Sequence, residues 1–321
     1  MDPLPAPPAR SLSCIVPAKN ERDNLSRLLP HLSEVLSRCS AAWEIIIVDD
    51  GSTDGTVEHF AASPPPGVVL LRLSRNFGKE AALTAGLEQA RGEAVVMIDA
   101  DLQHPPAMIE EFVAAWKAGA EMVYAVRDDR RTESLFKRAG TRWFYRLLNS
   151  ADRFEVPANA GDFRLMDKKV VQAILALPER NRFLKGLYAW VGFRTVALTY
   201  QPDERSIGTT RFGPLDLIRL SLDGLTAFTR WPLRAVSIIG LLLAIPALCY
   251  GVFLTVSYLL FGNSVSGWTT IVVGLMIFSG IQLFSLGVVG EYVGRVFEEV
   301  KARPLYIVAE RLGQGLEPPK Q

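Results

Sequence analysis

The chain has 321 residues and a mass of 35.4 kDa, enough for one large domain or two modest ones. Lys and Arg total 35 against 34 Asp and Glu, a formal net charge of +1, which argues against a chain that coats nucleic acid. Hydrophobic residues make up 49% with a mean hydropathy of +0.17, while Cys14, Cys39 and Cys249 lie far apart without CxxC spacing, so neither a zinc cluster nor a disulfide framework is expected and a reducing compartment fits.

Residues 1–10 are Pro-rich without an apolar core and read as a disordered lead, not a signal peptide. A strand is predicted over 12–16, then Leu25, Leu28, Leu29, Leu32, Val35 and Leu36 recur at helical spacing. Further strands are predicted at 44–48, 68–73, 94–98 and 122–126. Helical patterns follow at 79–90 and after Pro105-Pro106, where Ile109, Phe112, Val113 and Trp116 share a face. This rhythm predicts an α/β domain over 11–212, a mainly parallel sheet flanked by helices with ligands at the carboxyl ends of its strands.

Residues 213–234 carry an apolar stripe (Leu215, Ile218, Leu222, Leu225, Phe228) beside a polar one, the pattern of an amphipathic helix in a membrane interface. From 235 to 290 there are 56 consecutive residues without a Lys, Arg, Asp or Glu. Two stretches in it, 235–261 and 268–289, reach the roughly 20 apolar residues that a spanning helix needs. Arg230 and Arg234 precede the first, Arg295, Lys301 and Arg303 follow the second, and the loop between has no Lys or Arg. The positive-inside rule therefore predicts an integral membrane protein with two spans, its α/β domain, both termini and the tail 291–321 in the cytoplasm.

Polar residues collect at the predicted strand ends: Asp49 and Asp50 after the second, Asp99 to Gln103 after the fourth. Alternate residues of an extended chain face one way, so Asp99, Asp101 and Gln103 are expected to converge. Two carboxylates and an amide oxygen suit Mg²⁺ or Mn²⁺; a turn with helix-capping aspartates is the plainer alternative for a bare D-x-D. Between Arg127 and Arg146, Arg138, Arg142 and Arg146 repeat every four residues and share one helix face.

These segments occur in a known order: Pro17-Ala18-Lys19-Asn20-Glu21, Asp49-Asp50-Gly51-Ser52, Ser74 to Lys79, Asp99 to Pro106, Gly161 to Leu165, Arg182 to Gly186 and Arg303 to Tyr306. The chain resembles, over nearly its whole length, the family 2 glycosyltransferases that act on polyprenyl phosphates, such as dolichol-phosphate mannose synthases and bactoprenol glucosyltransferases. The resemblance implies the nucleotide-sugar-binding GT-A fold, an inverting transfer and a homo-oligomer. It implies a nucleotide-sugar donor, UDP-glucose first with GDP-mannose and UDP-amino sugars as alternatives, and an undecaprenyl or dolichyl phosphate acceptor in a membrane, in bacteria the plasma membrane.

Carried over residue by residue, it places Pro17, Lys19, Glu21, Val48, Asp50, Asp99, Ala100 and Asp101 on the donor, with Arg205 and Arg211 on its diphosphate. Arg211 stands where the family usually has Lys, and the two bind phosphate with different geometry. Asp99, Asp101 and Gln103 would hold the metal, and Arg127, Arg138 and Thr141 the acceptor phosphate. Asp162 is either a buried structural carboxylate or, with Asp101, a catalytic one. A processive polysaccharide synthase would need Q-x-x-R-W, but Ala139 precedes Arg142-Trp143 where Gln belongs. A non-catalytic sugar-nucleotide-binding membrane protein is disfavoured by the intact acidic motif.

Overall fold

A computed structural model describes residues 11–127, 160–180, 182–200, 231–261 and 267–317. In chain order the elements are β1 (Leu12–Ala18), α1 (Arg22–Cys39), β2 (Trp43–Asp49), α2 (Thr56–Ala62), β3 (Val68–Leu73), α3 (Lys79–Gln89), β4 (Ala94–Met97), α4 (Met108–Lys117) and β5 (Met122–Arg127). Then come β6 (Ala160–Asp167), α5 (Lys168–Leu175), α6 (Leu184–Trp190), β7 (Thr195–Tyr200), α7 (Trp231–Phe261), α8 (Trp268–Lys301) and β8 (Val308–Gly313).

Eight strands form one sheet in the order β7-β5-β6-β4-β1-β2-β3-β8. The block β4-β1-β2-β3 is parallel, and so is the pair β5-β7. Strand β6 runs antiparallel to β4 and β5, and β8 antiparallel to β3. The sheet is therefore mixed, which corrects the mainly parallel expectation. The added pairings come from strands that the apolar runs did not announce.

Side-chain alternation in β2 explains the layering. Ile45 and Ile47 point into a core shared with Leu25 and Leu32 of α1, Phe60 of α2 and Phe112 of α4. Ile46 and Val48 point the other way, towards Leu83 of α3, Val170 of α5 and Leu184 of α6. All four β2 residues are buried, each contributing roughly 1.5–3 kcal/mol by leaving water. Helices cover both faces, as a strand that is apolar on both sides requires.

Helix α7 has 31 residues and α8 has 34, about 46 and 51 Å at 1.5 Å per residue. Both leave large apolar side chains exposed, among them Leu242, Phe253 and Leu259 on α7 and Leu283, Phe284 and Phe297 on α8. Among the described residues one stretch, Ile277–Lys301, is long and apolar enough to cross a membrane. It overlaps the second expected span and extends it towards the C-terminus. Residues 231–234, expected to end the amphipathic helix, instead open α7. The lead 1–10 and the amphipathic segment 213–230 lie outside the described residues.

After α8 the chain returns to the domain. Ser74 N–H donates to the Ile307 carbonyl at 2.9 Å, and β8 then pairs along β3 from Leu73 to Val69. Leu316 of the tail lies against Glu44, a carboxylate only 2% exposed. It accepts from Ser13 Oγ at 2.6 Å, Arg91 N–H at 2.9 Å and Leu316 N–H at 2.9 Å.

Candidate active site

Parallel pairing of β4, β1 and β2 brings their carboxyl ends to one edge of the sheet. Pro17 and Val48 are register partners there. Val48 is fully buried in the core, so the backbone is what it can offer to a ligand. Lys19 and Glu21 follow β1 at intermediate exposure, and Glu21 accepts from Asn24 Nδ2 at 2.6 Å. Ala100 is buried.

Asp50, at the end of β2, organises the neighbouring loop. Its carboxylate accepts from Phe77 N–H at 2.6 Å and Gly78 N–H at 2.9 Å. This close approach needs a glycine beside it: Gly51 has φ +73°, and a Cβ there would stand 2.8 Å from the Asn76 nitrogen. The anchored loop delivers Lys79 as the first residue of α3.

Strand β6 supplies the opposing carboxylate. Met97 pairs with Arg164 in the antiparallel register, so Asp99, two residues after Met97, and Asp162, two residues before Arg164, come to the same end of this strand pair. Lys79 Nζ lies between them, 2.6 Å from Asp99 Oδ1 and 2.7 Å from Asp162 Oδ2. Burial works against the ammonium, but Asp99 and then Asp162 outweigh it and raise the Lys79 pKa. Burial likewise opposes ionisation of Asp99, yet His104 and Lys79 hold its pKa well below the usual carboxylate range. His104 Nε2 is 3.9 Å from Asp99 Oδ2, beyond hydrogen-bond reach, so the Lys79 contact is the stronger of the two. For Asp162, burial is overcome by Lys79 and Lys185, and its pKa is lowered.

Arg164, 2% exposed, supports this end of β6. Its guanidinium lies 3.6 Å from the centroid of the Tyr188 ring and donates to the Gly161 carbonyl at 2.7 Å. His104 packs against Phe163 and Tyr200, with centroids 5.0 and 5.4 Å away. Glu80 accepts from Leu184 N–H at 3.3 Å. Burial first and the charge of Asp162 second push its pKa up to about 7.

The convergence expected for Asp99, Asp101 and Gln103 needs correction in its reasoning. Strand β4 ends at Met97, and Leu102 adopts a positive φ of 61°, so strand alternation does not continue through the motif. Asp101 Oδ1 accepts from Gln103 N–H at 3.2 Å. Among the described residues no group of three His, Cys, Asp or Glu side chains gathers as a metal cluster. Two carboxylates and an amide within five residues still fit a hard divalent cation by their chemistry.

Arg127 closes β5 opposite Tyr200. Arg138, Thr141, Arg205 and Arg211 lie outside the described residues. Lys79, His104 and Arg164 stand in motifs that carry the family resemblance without a role of their own there, and Glu80 stands in none. For Lys79 the available signal was its position at a helix start directly after a Gly-containing strand-end loop. For His104 and Arg164 the signal was membership of their motifs, and for Glu80 no pattern in the sequence distinguishes it.

Residues 13–175 match the glycosyl transferase family 2 model, and the chain belongs to this family: it is a glycosyltransferase. It is 43% identical to an uncharacterised glycosyltransferase of Synechocystis, over 94% of this chain and 96% of that one. It is 41% identical to a prophage bactoprenol glucosyl transferase homolog of Escherichia coli, over 92% and 98%. With a prophage-derived bactoprenol glucosyl transferase of Shigella flexneri the identity is 42%, over 92% and 97%.

Proposed function

We propose that the protein transfers a hexose, glucose from UDP-glucose, to a polyprenyl phosphate at the cytoplasmic face of a membrane. The observation that carries this reading is the near-full-length similarity, membrane-type helices included, to proteins named bactoprenol glucosyl transferases. The GT-A form of the fold, two spans through α7 and α8, an interfacial helix before them and a homo-oligomer belong to the same proposal. Exposed apolar surface along both helices supports burial in lipid.

A phosphate monoester has a second pKa near 6, so the acceptor is largely a dianion at neutral pH and attacks with little base assistance. One phosphate oxygen forms a bond to the anomeric carbon from the face opposite the leaving group. The bond from that carbon to the UDP oxygen breaks, UDP departs with the electron pair, and the configuration inverts. Pro17, Lys19, Glu21, Val48, Asp50, Asp99, Ala100 and Asp101 line the donor site, with Arg205 and Arg211 on the diphosphate. Arg127, Arg138 and Thr141 receive the lipid phosphate, and Asp162 orients it without an essential deprotonation. Asp99, Asp101 and Gln103 would hold Mg²⁺ or Mn²⁺, which when bound neutralises charge on the diphosphate.

A panel of UDP-glucose, GDP-mannose and UDP-amino sugars with undecaprenyl phosphate tests the reading. UDP-glucose should give the highest kcat/KM, EDTA should abolish transfer, and Asp101→Ala should lower the rate at least about 100-fold, the scale of a lost electrostatic stabiliser. A clear preference for another donor would overturn the sugar assignment. Undiminished turnover without metal would overturn the cation.

A further inference from the structure

Among the described residues Lys79 is the only cation in ion-pair contact with Asp162, and the same ammonium contacts Asp99. Its side chain is 44% exposed against 16% for Asp162 and 27% for Asp99, the most open of the three. The loop that delivers it is held by two backbone hydrogen bonds to Asp50, which fixes where the four-carbon stem begins. A lysine head is a compact charge with three donors and can serve two carboxylates at once. Without it, Asp99 and Asp162 would face each other as like charges, with Glu80 adding a third acidic group near Asp162.

We propose that Lys79 is a positioning residue for transfer: it holds Asp162 in place beside Asp99 and offsets its charge so that an anionic acceptor can approach. This rests on the reading of Asp162 as the carboxylate that orients the acceptor. The shared ammonium cancels one of the two carboxylate charges that the incoming phosphate meets, besides what a cation on Asp99 would offset. Two unshared carboxylates would repel it and each other. Lys79 therefore acts on the acceptor side of the reaction, through Asp162, although its chain begins at the donor-side edge of the sheet.

The test uses the full-length protein and four forms: wild type, Lys79→Ala, Asp162→Asn and the double variant. Lys79→Ala should raise the acceptor KM and lower kcat, together on the order of 100-fold in kcat/KM, as for a displaced orienting group. UDP-glucose affinity measured by calorimetry should change less than the acceptor kinetics, since Lys79 reaches the donor site only through Asp99. The double variant should fall no further than Asp162→Asn alone, because contacts that work as one unit are not additive. Lys79→Arg should restore part of the acceptor kinetics. Additive losses, or weakened donor binding with normal acceptor kinetics, would overturn the proposal. A crystal structure of Lys79→Ala gives a readout independent of activity: the Asp162 carboxylate should move away from Asp99, and an unmoved Asp162 would also overturn it. Wild-type protein that fails to glycosylate a polyprenyl phosphate would instead remove the functional reading, and the crystallographic arm would still decide whether Lys79 holds Asp162.

Discussion

Burial beside Asp162 makes ionisation of Glu80 costly, and its pKa rises from the ordinary 4.5 to about 7. Folded protein therefore binds this proton more tightly than the unfolded chain does. The stability contributed by Glu80 is complete below about pH 4.5 and is lost as pH rises through about 7, a span worth up to about 3 kcal/mol. Thermal unfolding in detergent at pH 5 and pH 8 should show a smaller drop for Glu80→Gln than for wild type. Equal drops would contradict the assigned burial. Asp99 and Asp162 have lowered values, so they act at the acid end and leave this window undisturbed. At this scale Asp99 and Asp101 stand out in the sequence because the pair follows directly on a buried apolar strand. Lys79 and Asp162 are 83 positions apart, and they become neighbours only because β6 pairs beside β4 while the loop held by Asp50 sets the start of α3. Glu80 looks in sequence like an ordinary first-turn helix acid.

Strands β1 to β5 announce themselves as continuous runs because helices bury both of their faces. The later strands are disguised for reasons that differ. Strand β6 carries Asp162 and Arg164 among its apolar residues, and Arg164 is tolerated inside because it stacks on Tyr188 and bonds to the Gly161 carbonyl. Strand β7 alternates between intermediate and exposed positions. Strand β8 is an exposed edge bearing Glu310 and Arg311, a composition that reads as tail and also discourages further edge pairing. Its end depends on Gly313, with φ +81°, where a Cβ would collide with the Val68 carbonyl oxygen. Gly313→Ala should cost roughly 1–3 kcal/mol, the scale of a strained backbone position. Hydrogen exchange in the full chain should then quicken at β3 and β8 amides while β1 stays protected. Unchanged protection at β3 would show that β8 is not needed to close that edge.

Across the whole molecule, the tail joins the end of α8 to the catalytic domain at several points. Arg180 N–H donates to Glu299 Oε1 and its guanidinium to the Arg303 carbonyl, both at 2.8 Å. Tyr306 Oη donates to Glu88 Oε2 at 2.5 Å, and Arg91 donates to the Leu316 carbonyl at 2.7 Å. The tail after α8 returns to β3, so among the described residues the end of α8 is tied to the domain by backbone pairing as well as by these side-chain contacts. The most direct test of the central claim is mass spectrometry of the lipid formed when purified protein, in vesicles containing undecaprenyl phosphate, is given UDP-glucose. Direct transfer predicts a lipid heavier by one hexose and still carrying a single phosphorus, with UDP as the released nucleotide; a lipid diphosphate sugar with release of UMP, or free glucose with no change in the lipid, would contradict the account.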